Sequence, residues 1–215
     1  MLNVEDAVVT IDAMGCQKAI AEKIVTQNGN YVLAVKENQP ALYEVVKGTF
    51  DELTGPGIPG VSCDFHEDID AGHGRIETRR IWTTGWADWW KDRMDWTGLK
   101  SFVCVESIRQ VKDHVSTERR YFISSIENPS AQAMLGHVRG HWGVENKLHW
   151  SLDVTFREDT LRNRIGHSAE NFSRIRRLAL NLLRKEKTTK ASVKGKRLKA
   201  CMKDEYLLGL ISQGV

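Results

Sequence analysis

Two carboxylates are the residues of this sequence whose types and positions could support catalysis. Asp12 follows the run AVVTI, which is rich in β-branched residues and predicts a buried strand. Ligands of open α/β sheets collect at the carboxyl ends of strands, and a carboxylate there can hold a hard cation such as Mg²⁺. Aspartate is also common in turns, so its position alone leaves a purely structural role open.

Glu145 lies within HVRGHWGVENKLHW, residues 137–150, where apolar residues recur at helical spacing. In a regular helix this glutamate would share one stripe with Val138 and Trp142. A carboxylate that faces a core is costly unless it is paired or bound to a metal. The sequence therefore leaves two interpretations open, a buried ion pair with a neighbouring arginine or histidine and a metal ligand.

Histidines surround this glutamate at four-residue spacing, and His141 and His149 are the nearest on either side. Paired histidines on a helix can bind zinc, which makes a zinc hydrolase one candidate function. A catalytic zinc site usually needs a third protein ligand, and the order HExxH is absent. Histidines that pack in the core or face DNA are the alternative.

Basic residues form the remaining candidate site. Arg75, Glu77 and Arg79 lie on one face of a predicted strand, where they could grip phosphate or form a cross-strand salt-bridge ladder. Lysine and arginine also crowd the chain from Arg157 onward, although its net charge is only +3. A local basic block suggests a polyanion such as nucleic acid, or else a solvated helix face and a loose tail. Candidate DNA contacts in this block are Arg174, Arg177, Lys194, Lys196 and Arg197.

The elements that would position these residues suggest an α/β protein. Strands at residues 7–12 and 31–36 flank a helix, which predicts a parallel βαβ unit. A loop rich in glycine and proline at 54–60 precedes alternating runs at 61–126, which predict an antiparallel sheet inserted into the unit or extending it. Two helices follow. Ser168 is the candidate cap of the second, and its apolar side is expected to carry Phe172, Ile175, Ala179 and Leu182. The 215 residues and 41% hydrophobic content suffice for a real core.

Cysteine usage and hydropathy indicate where such a chain would reside. Its four cysteines are scattered and form no CxxC pair, which argues against a zinc ribbon or a disulfide framework. A reduced cytoplasm fits best. No apolar run is long enough for a membrane span, and the first residues lack the features of a signal peptide.

Three stretches together resemble one family of proteins. VVTIDAMGCQKAIAEKIVTQNGNYVLAVKENQ, GHGRIETRR and HWGVENKLHWSLDVTFREDTLRNR are similar to the H-repeat-associated, ISAs-type insertion-sequence transposases, and ENFSRIRRLALNLLR and KGKRLKA continue the match. The resemblance implies a DDE enzyme with a ribonuclease-H-like core, in which two aspartates and one glutamate hold Mg²⁺ or Mn²⁺. Asp12 would be the second aspartate and Glu145 the glutamate. His141 stands where many relatives have an arginine.

The resemblance also implies a domain organisation and partners. The family's first aspartate lies on an earlier strand, so we expect an N-terminally truncated transposase that lacks the first strands of its core and cannot cleave DNA alone. Its partners would be element ends and target DNA, with a homodimer allowed. A non-catalytic DNA-binding remnant is the alternative function. The expected segments are the first part of the core, a β-rich insertion, the remainder of the core with the glutamate helix, and a basic tail, at 1–53, 54–127, 128–187 and 188–215.

Overall fold

The computed structural model describes residues 3–72, 74–85, 90, 95–144, 148, 150–163 and 165–212. The chain divides into two compact units, Met1–His141 and Trp142–Val215. The strands are β1 (Val8–Ile11), β2 (Asn30–Val35), β3 (Asp64–Gly72), β4 (Arg75–Thr84), β5 (Ser101–Val111) and β6 (His114–Ser124). The helices are α1 (Lys18–Thr26), α2 (Pro40–Leu53), α3 (Ala131–Val144), α4 (Trp150–Phe156), α5 (Ser168–Lys185), α6 (Val193–Met202) and α7 (Asp204–Ser212).

The first unit contains one mixed sheet with the strand order β1-β2-β6-β5-β4-β3. Strands β1 and β2 are parallel and are joined through α1, which confirms the predicted βαβ unit. All other neighbours are antiparallel, and β6 pairs directly with β2. The β-rich segment therefore extends the sheet of the βαβ unit, which was one of the two arrangements the sequence predicted. The four-segment domain division stays a prediction.

Strand β2 is buried from Tyr31 to Val35 because helices cover both faces of the sheet. Tyr31, Leu33 and Val35 lie in the core that contains residues of α1 and α2. Val32 and Ala34 point to the opposite face, where they pack in a second core with residues of α3. Strands that are buried on both faces read as continuous hydrophobic runs, which is the pattern seen here.

The second unit contains α4 to α7 around a small core of Leu183, Ala200 and Leu210. Its longest helix, α5, differs from the sequence prediction in two ways. His167 is the N-cap residue, and Ser168 is the first helical residue and not the cap. Phe172 and Ile175, expected on the apolar side, are half exposed, because the side of α5 that packs inward carries Leu180 and Leu183 instead.

None of the helices in the described parts of the chain is both long and apolar enough to span a bilayer.

Candidate functional site

Asp12 stands directly after β1, as the sequence predicted, at the carboxyl end of a parallel strand. Its backbone is extended, and a single 3₁₀ turn, Ala13–Gly15, follows it. The turn closes through the amide of Gly15, which donates to the Asp12 carbonyl at 2.9 Å. A Cβ atom on Gly15 would lie 2.3 Å from Cγ2 of Ile11, so only glycine lets the chain pass so close to the strand.

The Asp12 carboxylate is about half exposed and lies 3.7 Å from the ammonium of Lys36, measured from Oδ1 to Nζ. Lys36 follows the neighbouring parallel strand β2, so both side chains belong to the same edge of the sheet. The backbone amide of Ala13 has the largest effect and lowers the pKa of Asp12, partial burial opposes it with the next largest effect, and the charges of Lys36 and His141 lower the pKa further. The carboxylate is therefore kept ionised and accessible.

Helix α3 brings a further polar group to this edge. Its residues Met134, Leu135 and Val138 are buried against the sheet. One turn further along, the His141 ring lies 3.3 Å from the hydroxyl of Thr10 on β1, measured from Nδ1 to Oγ1. Side chains alternate along a strand, so Thr10 and Asp12 belong to the same face. His141, predicted to face DNA, thus lies close to the candidate carboxylate.

Glu145 and His149 fall outside the described residues, and the role predicted for each stays a prediction. The same holds for the zinc site expected from His141 and His149. Among the residues that the structure describes, no three His, Cys, Asp or Glu side chains come together as a metal site. The metal-ligand role predicted for Asp12 therefore stays a prediction.

Two residues at this edge were not singled out from the sequence. Asn38 donates from Nδ2 to the Ala13 carbonyl at 2.7 Å, and Gln39 donates from Nε2 to the Cys16 carbonyl at 3.0 Å. Both amides therefore reach from the loop after β2 to the turn after Asp12. The available signal was their position: KENQ directly follows a predicted parallel strand, where loops of α/β proteins carry ligand sites.

Arg75 and Arg79 both form ion pairs within β4, and Arg79 also lies 3.9 Å from Asp68 of the neighbouring strand β3, which is one cross-strand contact of the predicted ladder. The Arg75 guanidinium lies 3.0 Å from Glu77, and Arg79 bonds to the same carboxylate. A third arginine on this face, Arg139 of α3, lies 2.8 Å from Asp68 of β3. A phosphate contact through Arg75 or Arg79 would compete with these carboxylates and stays a prediction.

The basic residues of the second unit are in different situations. Arg174 and Arg177 are exposed on α5, and Arg174 forms an ion pair with Glu170 one helical turn away. Lys194 is exposed on α6. Arg197 is exposed as a residue, but its guanidinium donates to the Thr155 carbonyl and lies over an aromatic ring. These four side chains stay candidates for DNA contacts.

Lys196 corrects the prediction of a DNA contact, because it is buried. Its ammonium lies 3.0 Å from the Glu186 carboxylate, and their side chains are 9% and 2% exposed. Glu186 also accepts hydrogen bonds from the Thr188 hydroxyl, the Thr189 amide and, at 3.0 Å, the Tyr206 hydroxyl. The Thr188 hydroxyl first, and then Lys196 and the other donors, lower the pKa of Glu186 to about 2. Lys196 therefore joins α6 to the end of α5, and Glu186 joins this pair to α7 through Tyr206.

The fold and this edge define a mixed α/β protein with an ionised aspartate at the carboxyl end of a parallel strand. Comparison with known proteins identifies the family. The family model of the transposase DDE domain matches residues 1–182. The chain belongs to this family.

Curated relatives support the resemblance to H-repeat-associated transposases. From Escherichia coli K12, "H repeat-associated putative transposase YhhI" and "Putative protein YbfL" are each 38% identical over 99% of this chain and 56% of their own length. "Putative transposase YncI" of Escherichia coli O157:H7 is 39% identical over 96% of this chain and 53% of its own length. The chain thus spans about half the length of the curated relatives it matches.

Proposed function

We propose that this chain serves as a DNA transposase of an insertion sequence, with metal-dependent strand cleavage and transfer as the family chemistry. The observation that carries the proposal is an ionised, half-exposed Asp12 at the carboxyl end of β1 in a chain that belongs to the transposase DDE family. The relatives with transposase names support the same assignment.

Asp12 and Glu145 would hold Mg²⁺ or Mn²⁺ in this proposal. Carboxylate oxygens are the ligands that such hard cations prefer. The Lys36 ammonium, 3.7 Å from Asp12, would compete with the metal for this carboxylate. When bound, the metal would activate water or a DNA 3′ hydroxyl and stabilise the phosphorus-centred transition state. Glu145 is assigned from the resemblance, since it lies outside the described residues.

We further infer a ribonuclease-H-like core whose earlier strands would pair with β1. Within the described residues β1 is an edge strand, so its outer amides and carbonyls are available for pairing. Beside it lies an apolar groove of about 250 Å³, which would cover side chains of a further strand. Its lining includes Val4, Val9, Ile11, Ile20 and Ile24. The first catalytic aspartate expected from the resemblance would arrive on such a strand.

DNA is the partner that we assign to the exposed basic residues. Arg174 and Arg177 on α5 and Lys194 on α6 present cations that can neutralise phosphates, and such binding weakens steeply with salt. A homodimer and a location in the bacterial cytoplasm remain expectations of the same proposal.

A plasmid-nicking assay with Mg²⁺ or Mn²⁺ tests the catalytic proposal. In the presence of the strand that carries the first aspartate, the chain should convert supercoiled plasmid to the open-circular form, and Asp12→Asn and Glu145→Gln should each abolish the conversion. Glu44→Gln, which changes an exposed carboxylate on α2, is the matched control and should nick like the wild type. Equal nicking by Asp12→Asn would show that a contaminating nuclease is responsible.

A non-catalytic DNA-binding protein is the second candidate, favoured by the exposed arginines of α5. Under this alternative the wild type would bind DNA without nicking it. Glu145→Gln would then leave the DNA affinity unchanged, whereas loss of Arg174 and Arg177 would lower it. Fluorescence anisotropy with labelled duplex DNA at several salt concentrations distinguishes the two candidates when read beside the nicking assay.

A further inference from the structure

We propose that Asn38 and Gln39 are positioning residues that hold the turn after Asp12, and with it the Asp12 carboxylate, in the geometry needed to bind metal. The inference rests on the proposed function. The two side chains act through backbone carbonyls and do not themselves contact the metal or the DNA. Nothing in the family assignment or in the names of the relatives attributes a role to this segment.

The contacts are placed at the two ends of the turn. Asn38 donates to the carbonyl of Ala13, the residue after Asp12, and Gln39 donates to the carbonyl of Cys16, the residue after Gly15. Ala13 and Cys16 are themselves buried, so their packing in the core holds the turn in addition to the two hydrogen bonds. The two amides therefore span the whole turn, and neither contact is made within its own loop.

Asp12 needs this support because β1 by itself holds its own end only weakly in place. The strand has only four residues, and among the described strands it pairs on one side alone, with β2. The end of a short edge strand opens more easily than the middle of a sheet. A functional side chain must be held within about 0.5 Å of its productive geometry, which requires supporting hydrogen bonds from a second element. The loop after β2 supplies them because the carboxyl ends of β1 and β2 lie side by side.

The local chemistry of α2 does not account for Gln39. This residue occupies the N-cap position of α2, yet its side chain makes no capping hydrogen bond. Ser, Thr, Asn and Asp are the residues that cap helices well. Pro40, the next residue, lacks an amide proton, so the first turn of α2 has one amide fewer that needs a partner. The Gln39 amide is instead committed to the turn of the neighbouring strand.

Cysteine reactivity tests whether the turn is held by these contacts. Cys16 lies at the end of the turn and Cys104 in the middle of the sheet, and both are fully buried. Burial raises the pKa of each thiol to about 12, so both react with N-ethylmaleimide only after their surroundings open. In Asn38→Leu and Gln39→Met the modification of Cys16 should accelerate about fivefold to tenfold, the factor for one lost neutral hydrogen bond, while Cys104 stays slow. Acceleration of both cysteines would indicate general unfolding and would overturn a local role.

Binding of Mn²⁺, followed by electron paramagnetic resonance, connects the turn to the site. The wild type should bind the ion, Asp12→Asn should lose the binding, and Asn38→Leu and Gln39→Met should weaken it about fivefold to tenfold by the same reasoning. Gln132→Ala, an amide removed from the exposed face of α3, is the control and should bind like the wild type.

The outcomes separate the two proposals. If the wild type binds Mn²⁺ through Asp12 and the Asn38 and Gln39 variants bind it equally well, the positioning inference is wrong and the metal site stands. If the wild type does not bind Mn²⁺, the metal site is wrong and the positioning inference falls with it. Accelerated labelling of Cys16 would in that case describe a purely structural contact.

Discussion

Replacing Gly15 by alanine tests the proposed geometry of the turn after Asp12. The new Cβ atom would lie 2.3 Å from Cγ2 and 3.5 Å from Cβ of Ile11. Ile11 is β-branched and sits on β1 directly before Asp12, so it cannot move aside without shifting the strand. Overpacking of this kind costs about 1–3 kcal/mol. We therefore expect Gly15→Ala to lower the free energy of unfolding by about 2 kcal/mol.

Urea unfolding followed by circular dichroism measures this effect. With a denaturant slope of about 2 kcal/mol per molar, the midpoint should fall by about 1 M. Gly48→Ala is the control, since nothing lies within 4 Å of its added Cβ in the middle of α2. Helix propensity predicts that this variant is more stable by about 0.5–1 kcal/mol. A Gly15→Ala variant as stable as the wild type would refute the close approach of the turn to β1.

Three further predictions concern charged groups. The pKa of Glu186 is lowered to about 2, so its contribution to stability is present above the ordinary value of 4.5 and is lost as the pH falls from 4.5 towards 2. The melting temperature of the wild type should therefore fall over this pH range, and that of Glu186→Gln should fall less. Lys36→Met should raise the pKa of Asp12, observed by carbon-13 NMR of the carboxyl group, because it removes one of the charges that lower it. The double variant Arg174→Ala, Arg177→Ala should weaken DNA binding and reduce the slope of log affinity against log salt by roughly 2.

Each of these experiments has an outcome that contradicts its premise. An acid transition that is equally steep in Glu186→Gln would assign the pH dependence to other carboxylates. An unshifted Asp12 titration in Lys36→Met would mean that the 3.7 Å pair is not populated in solution. For DNA binding, Arg109→Ala removes an exposed arginine from β5 as a control, and an equal loss in both proteins would indicate a non-specific effect of charge.

Local sequence pattern predicted the elements that need little long-range information. The apolar run at residues 31–36 predicted β2, because a strand buried on both faces needs no alternation. The position of Asp12 at the carboxyl end of β1 followed from the β-branched run before it. The helix beginning near Ser168 was recognised from its 3.6-residue periodicity, although its cap and its inward side were assigned wrongly.

The candidate site was only partly predictable, because its contacts join residues that are distant along the chain. The residue types of Asn38 and Gln39 do not by themselves indicate a role in the site. That role depends on which backbone carbonyls their side chains reach. From the sequence, Lys196 was predicted to be one of the DNA-binding cations of the basic block. The structure instead places Glu186 beside it. Charge composition cannot distinguish a solvated lysine from a buried one, since burial depends on how three helices pack.

By itself, then, the sequence determined the βαβ unit, the antiparallel strands, the aspartate at a strand end and the family, because each depends on local periodicity or on a continuous motif. The tertiary structure alone decided that β6 pairs with β2, that α3 carries His141 to Thr10, and that Lys196 is buried. Strand pairing and ion pairing between distant segments depend on the burial of a shared core. Which distant segments are buried together is decided by the whole fold, and the periodic pattern of a single segment does not reveal it.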